Sequence, residues 1–331
     1  MNRQHPIKIA VIAYDGANAV DVFGPLQVFS SANQVYKAID SNSSDIYEVK
    51  LFSLMQVQIS LHTRTKVLTD GLISDLALYQ ADTLLIAGGE VASTIADQSE
   101  KVNSLLSIMD QARRVTSVCS GAFILAATGV MENRQATTHW GRYKEFSERF
   151  PNIKLNIDAL FTQDGKYYCS AGVTSGIDLA LQLVREDYGQ HLALATSREM
   201  VVFFHRPGGQ NQFSGLNEIA SAKSTSLILV QDWINENLHK LLDINHLAEK
   251  AAMSVRHFSR KFKQETGLPP SQYIAKARLN KARTLLEETN ISITRIANQC
   301  GYQNSEILRR LFIRELNISP TEYRKRFHIY S

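Results

Sequence analysis

The stretch RRVTSVCSGAFILAATG, Arg113 to Gly129, carries an apolar run into a single thiol, Cys119, and passes at once into an Ala-rich helical pattern. A cysteine handed from a strand to a helix N-terminus is placed as a nucleophile would be, because the positive end of the helix dipole favours thiolate over thiol. That spacing fits a cysteine-dependent enzyme, and equally a binding pocket built on the same elbow. A second group of chemistry-bearing residues lies in the last third. Leu227 to Ser331 hold 17 Lys+Arg against 10 Asp+Glu, whereas residues 1–226 hold 19 against 22. A basic tail on an acidic body suits phosphate neutralisation by a nucleic-acid module, or a merely solvated basic surface.

A repeat inside the basic third separates these two readings. Ser254-xxx-Phe258-x-Arg260-x-Phe262 with Gly267, Pro270 and Tyr273 returns fifty residues later as Asn304-xxx-Leu308-x-Arg310-x-Phe312 with Asn317, Pro320 and Tyr323. Each copy starts on a residue that caps a helix N-terminus and stops on one of the two residue types that best tolerate the left-handed C′ position. A shorter helical stretch precedes each, INHLAEKAA or ITRIANQC, closed by the tight turn AMS or GYQN. Helix, turn and capped helix make a helix-turn-helix, here twice, at about 245–266 and 293–316. The apolar residues four apart face inward. The outward faces then carry Arg256, Ser259, Arg260 and Lys263 on the first helix, and Ser305, Glu306, Arg309, Arg310 and Arg314 on the second. These side chains suit guanine edges, phosphates and, for Glu306, a cytosine amino group; Arg260 and Arg310 could alternatively fold over the turn beneath them.

The elements that position these groups are legible from hydrophobic pattern. IKIAVIAY, YEVKLFSL, DTLLIAGG and RRVTSVC alternate with helical runs, which is the order of a mostly parallel α/β sheet, and IKLNIDALFTQDGKYYCSAG reads as a hairpin turning at Asp164-Gly165. Residues 6–213 form this first domain, 214–226 a polar linker, and 227–328 an all-α domain. His205 to Phe213, HRPGGQNQF, reads as a surface that communicates with the second domain or as an ordinary closing loop. Cys119, Cys169 and Cys300 are far apart and lack metal or disulfide spacing, and Cys169 and Cys300 read as small buried apolar residues. No run approaches the ~20 apolar residues of a membrane span and the start lacks a signal-peptide layout, so the expected location is the cytoplasm, with no membrane partner and no cofactor.

The stretch from LAEKAAMSVRHFSRKFKQETG to ISPTEYRKRF resembles the AraC/XylS transcription-factor DNA-binding domain over its whole length. Leu308 and Leu316 stand where that family usually has aromatics, and Asn317 where it usually has Gly. The resemblance implies a long helix, about Pro270 to Glu287, holding two recognition helices roughly 34 Å apart for successive major-groove turns. IKIAVIAYDGANAVDVFGPLQVF, VTSVCSGAFILAATG, ATTHWGRYKEF and the run from CSAGVTSG to HRPGGQNQF resemble the ThiJ/PfpI, class I glutamine amidotransferase-like domain with its flavodoxin-like sheet. Together they are similar to GlxA-type regulators.

By motif position the resemblance makes Cys119 the counterpart of a nucleophile, His139 of its assistant and Asp21 of an acid bonded to the thiol. Beside a DNA reader, these residues are expected to bind rather than to catalyse. The expected pocket is Asp21, Gly88, Gly89, Cys119, Ser120 and His139, with the Gly88, Gly89 and Ser120 amides receiving a carboxylate. His139 alone would more often be a hydrogen-bonded core histidine. The whole implies a transcriptional activator with a small-molecule effector, acting on double-stranded operator DNA as a homodimer with RNA polymerase. A cysteine-dependent hydrolase or glyoxalase-like enzyme and a Cys119 redox sensor are the alternatives.

Overall fold

The computed structural model describes residues 5–41, 43–204, 209–213, 222 and 224–328. The chain divides into two compact units, Met1–Gln210 and Asn211–Ser331. The sheet of the first is built from β1 (Ile7–Ala13), β2 (Tyr47–Ser53), β3 (Gly71–Leu72), β4 (Thr83–Ile86), β5 (Arg114–Val118), β6 (Phe161–Asp164) and β7 (Tyr167–Ser170). Their order is β6-β7-β5-β4-β1-β2-β3, and every neighbouring pair is parallel except β6 with β7. Strands β4 and β5 are buried at every residue, as in a parallel sheet covered on both faces. Helix α1 (Ala19–Ile39) follows β1, α2 (Gly121–Ala127) follows β5, and α3 (Ser175–Tyr188) follows β7. Val28 and Phe29 of α1 share a core with Leu179 and Leu183 of α3.

The hairpin is shorter than the sequence predicts. Only Phe161–Asp164 and Tyr167–Ser170 pair, whereas Lys154–Leu155 joins Gln135–Ala136 in a separate two-stranded sheet. The break is local: the Asn156 side-chain carbonyl accepts from the amides of Asp158 and Ala159, turning the chain out of the extended run.

The second unit is helical. Its elements are α4 (Thr225–Glu236), α5 (Ile244–Lys250), α6 (Val255–Thr266), α7 (Pro270–Glu288), α8 (Ile293–Gln299), α9 (Ser305–Leu316) and α10 (Pro320–Phe327). Both predicted caps form. Ser254 Oγ accepts from the His257 amide and Asn304 Oδ1 from the Ile307 amide, while Gly267 and Asn317 end their helices at φ +78° and +55°. The repeat extends into packing, since Phe262 meets Tyr273 edge-on at 5.2 Å and Phe312 meets Tyr323 edge-on at 5.6 Å. Leu308 and Leu316 are buried in the places of the missing aromatics.

Two expected boundaries shift. Helix α4 already starts at Thr225, inside the expected linker, whose residues 214–221 and 223 lie outside the described residues. Residues 211–213 belong with the second unit: Arg283 Nη2 donates to the Gln212 carbonyl, Arg326 Nη1 to Gln212 Oε1, and Phe213 stacks edge-on against Phe327.

The turns of the two motifs differ in a testable way. Ala252 and Gly301 hold the same left-handed position, at φ +53° and +75°. A non-glycine residue there is strained by about 1 kcal/mol or more. Ala252→Gly is therefore expected to raise stability by about 0.5–1 kcal/mol in urea denaturation. Gly301→Ala is expected to cost more than Ala252→Gly gains, because the added methyl would collide with the Leu238 carbonyl oxygen and the Arg278 guanidinium.

Candidate effector pocket and nucleic-acid interface

The pocket forms where the order of the sheet reverses, outside the carboxyl ends of β1, β4 and β5, the usual ligand crevice of such sheets. Strand β5 ends at Val118, and Cys119 then takes φ +55°, a left-handed elbow that delivers the thiol above α2. Gly121 permits this turn, because a side chain there would strike the carbonyl oxygens of Ile86 and Ala87. Asp21 comes from the first turn of α1, which Asn18 caps by accepting from the Val20 amide. The cavity is about 200 Å³ and is lined by Asn18, Asp21, His62, Glu90, Cys119 and His139 among others.

The chemistry is that of a held acid and a quiet thiol. Asp21 is completely buried, and neither carboxylate oxygen makes a hydrogen bond of normal geometry among the described residues. Burial pushes its carboxyl up to about 7, although the nearby Cys119 thiol and Gly88 amide pull the other way. Burial and the neighbouring Asp21 push Cys119 up to about 12, against the downward pull of the Ser120 amide. The thiolate expected from the helix N-terminus does not form at neutral pH, because desolvation outweighs the few amides of this short helix. Alkylation by iodoacetamide at pH 7.5 is accordingly expected to be at least about a hundredfold slower at Cys119 than at free cysteine, read by peptide mass spectrometry. Modification at the free-cysteine rate would reverse the assignment.

His139 is tied to its own turn through one ring nitrogen. Its Nδ1 accepts from the Gly141 amide at 3.1 Å, which leaves the proton of the neutral ring on Nε2. Burial, then Arg142, hold its pKa below the usual histidine value. The expected carboxylate cradle is also filled from within. Ser120 Oγ accepts from the Gly89 amide at 2.9 Å and donates to the Gly89 carbonyl at 2.7 Å, while the Gly88 and Ser120 amides lie close enough to Asp21 and Cys119 to lower their pKa values. Gly88 is absent from the cavity lining, where it would have been expected, since it lies behind Asp21.

Sequence reasoning missed Gln210. Its amide nitrogen donates to Thr137 Oγ1 and to the carbonyls of Thr138 and Ala159, and its oxygen accepts from the Trp140 amide. It thereby fixes the Thr137–Trp140 segment that carries His139, and Thr138 in turn donates to the Cys119 carbonyl at 2.9 Å. Of the HRPGGQNQF segment, residues 205–208 lie outside the described residues. A single polar residue far from the motif leaves no periodic signal.

On α6, Arg256, Arg260 and Lys263 are exposed. Ser259 is turned back instead, its hydroxyl donating to the Val255 carbonyl at 2.8 Å, the usual alternative for a serine within a helix. On α9, Arg309, Arg310 and Arg314 are exposed while Ser305 and Glu306 are half-buried. Glu306 accepts from Arg309 Nε and Nη2 at 2.7 and 2.9 Å and from Arg310 Nε at 3.1 Å, and Arg314 pairs with Glu315 at 2.6 Å. Phe258, Phe262, Leu308 and Phe312 are buried beneath these faces, so neither Arg260 nor Arg310 is folded into the core.

Residues 7–186 match the DJ-1/PfpI family, and residues 247–326 match a helix-turn-helix domain. The HTH-type transcriptional regulator GbdR of Pseudomonas aeruginosa is 24% identical over 322 residues, spanning 97% of this chain and 85% of GbdR. The HTH-type transcriptional regulator GlxA of Rhizobium meliloti is 26% identical over 244 residues, spanning 74% of this chain and 75% of GlxA. Among solved structures, a ThiJ/PfpI family protein from Pseudomonas syringae superposes with a TM-score of 0.52 at 19% identity, covering 80% of this chain and 92% of that one, a likeness of fold. The chain belongs to the DJ-1/PfpI family, and it carries an AraC-type helix-turn-helix domain behind that family's flavodoxin-like sheet.

Proposed function

We propose that this protein is a sequence-specific transcriptional regulator, an activator, in which the first domain binds a small polar metabolite without turning it over and the second reads double-stranded DNA. The carrying observation is the repeated capped motif, which presents Arg260 and Arg310 at one position of two matched helices. Two groups argue against turnover. Cys119 stays a thiol at neutral pH, and His139 offers it no free nitrogen in the tautomer that Gly141 imposes. The cavity suits a small ligand that brings a hydrogen-bond donor to Asp21. The regulator acts as a homodimer with RNA polymerase, on two half-sites. No described helix is long and apolar enough to cross a membrane, and no group of three His, Cys, Asp or Glu among the described residues could hold a metal ion.

Cys119→Ser tests the reading against its enzymatic rival. The variant keeps the elbow and its volume, so operator footprints and affinity are expected to match wild type within about twofold, with only the effector response changed. Turnover of amides or dicarbonyls by the wild-type chain above ~1 per second, abolished by Cys119→Ser, would replace the regulator with an enzyme. Light scattering that gives a monomer at micromolar concentration would remove the dimer.

A further inference from the structure

The two reading helices have different electrostatic designs. Helix α6 carries Arg256, Arg260, Lys261 and Lys263 against one acid, Glu265, and that acid lies 3.9 Å from Lys261. Among the described residues Arg256, Arg260 and Lys263 have no ion-pair partner. Helix α9 carries three arginines and two acids, and all three arginines are paired along their own helix. Glu306 holds two of them at once, in the first turn where the helix dipole also favours an acid.

We infer that Glu306 is a specificity-determining residue, which holds Arg309 and Arg310 away from the DNA backbone and releases them only to a base step that satisfies its own carboxylate. This rests on the DNA-binding reading above. A phosphate approaching α9 meets a carboxylate on the same face as the arginines, so the backbone contact is opposed by like charge and competes with Glu306 for Arg309 Nε and Nη2 and for Arg310 Nε. A C·G pair in the major groove relieves both costs. The cytosine amino group donates to the carboxylate, and the guanine O6 and N7 accept from an arginine. The two motifs therefore divide the work. Helix α6 supplies affinity through unpaired cations, and α9 supplies discrimination by penalising the wrong sequence, as specificity often requires.

The test uses the full chain, with Glu306→Gln, Glu306→Ala and Arg260→Ala, on two duplexes of equal length: one of random sequence, one selected from a random pool by the wild-type protein. Anisotropy titrations over 50–200 mM salt give affinity and salt slope, and thermal melts establish folding. Both Glu306 variants are expected to bind random duplex about tenfold tighter, with a salt slope steeper by about one from the freed phosphate contact. The ratio of selected to random affinity should fall by at least about fivefold. Arg260→Ala is expected to weaken both duplexes. The inference is overturned if both Glu306 variants bind random duplex within twofold of wild type, or tighten on both duplexes equally. If Arg260→Ala also changes nothing, the DNA-binding reading itself has failed, and the two failures are thereby distinguished.

Discussion

Arg260→Ala is expected to weaken operator binding by close to a hundredfold, Arg310→Ala by closer to tenfold, and the pair to leave only weak, salt-sensitive association. A base or phosphate contact of this type is worth ~1–3 kcal/mol, which sets the range. The ordering comes from the surroundings. Arg260 has no ion-pair partner among the described residues, so its charge is available to DNA in full. Arg310 shares the Glu306 carboxylate with Arg309, so part of its contact is spent leaving that partner, and Arg309 remains when it is removed. Neither substitution touches the buried faces at Phe258, Phe262, Leu308 and Phe312, and the caps at Ser254 and Asn304 remain, so melting temperatures should move little. Anisotropy on the selected duplex and promoter activation measure both consequences. Unchanged activation in the double variant would remove the regulator assignment, because no other position of α6 and α9 carries an arginine or lysine in both copies of the repeat.

The DNA-binding half was readable in the sequence to the level of single caps, and physical locality explains why. Ser254, Asn304, Gly267 and Asn317 act on their own helix ends through bonds to amides three residues away or through φ, and such effects need no knowledge of distant chain. The same locality made β1, β4 and β5 legible as buried runs. The pocket was legible only as a set of members. Cys119, Asp21 and His139 do meet around one cavity, but their chemical states follow from contacts far apart in sequence. The helix N-terminus argued for a thiolate. Burial and the carboxyl of Asp21, 98 positions earlier, decide for a thiol. Likewise the Gly89 amide reads as an open anion site until Ser120 is seen to fill it from 31 positions away. Gln210 was invisible for the same reason, since its partners are fixed only by the closed fold.

Asp21→Asn is expected to reshape the pH dependence of the first domain's stability more than any other single change in the pocket. In the unfolded chain this carboxyl titrates near 3.8, and in the folded one burial moves it to about 7. The folded state therefore holds the proton more tightly between those values, and stability falls as pH rises from about 4 to about 7. A shift of that size amounts to about 4 kcal/mol, fully present as a loss above pH 7 and absent below pH 4. Asn has no proton to lose, so the variant should be several kcal/mol more stable than wild type at pH 8 and no more stable at pH 4. The two tryptophans make the measurement clean. Trp140 lies in the first unit and Trp233 in the second, so in a Trp233→Phe background fluorescence during urea denaturation reports the first unit alone. Parallel pH profiles for the variant and its parent would show that the carboxyl is not held in the state described. Profiles that coincide near pH 4 and separate toward pH 8 would identify Asp21 as a charge the fold carries at a cost, in the manner of residues kept for what they bind rather than for stability. A ligand whose donor satisfies the carboxylate should then recover part of the loss, as a rise in the wild-type melting temperature that Asp21→Asn does not share.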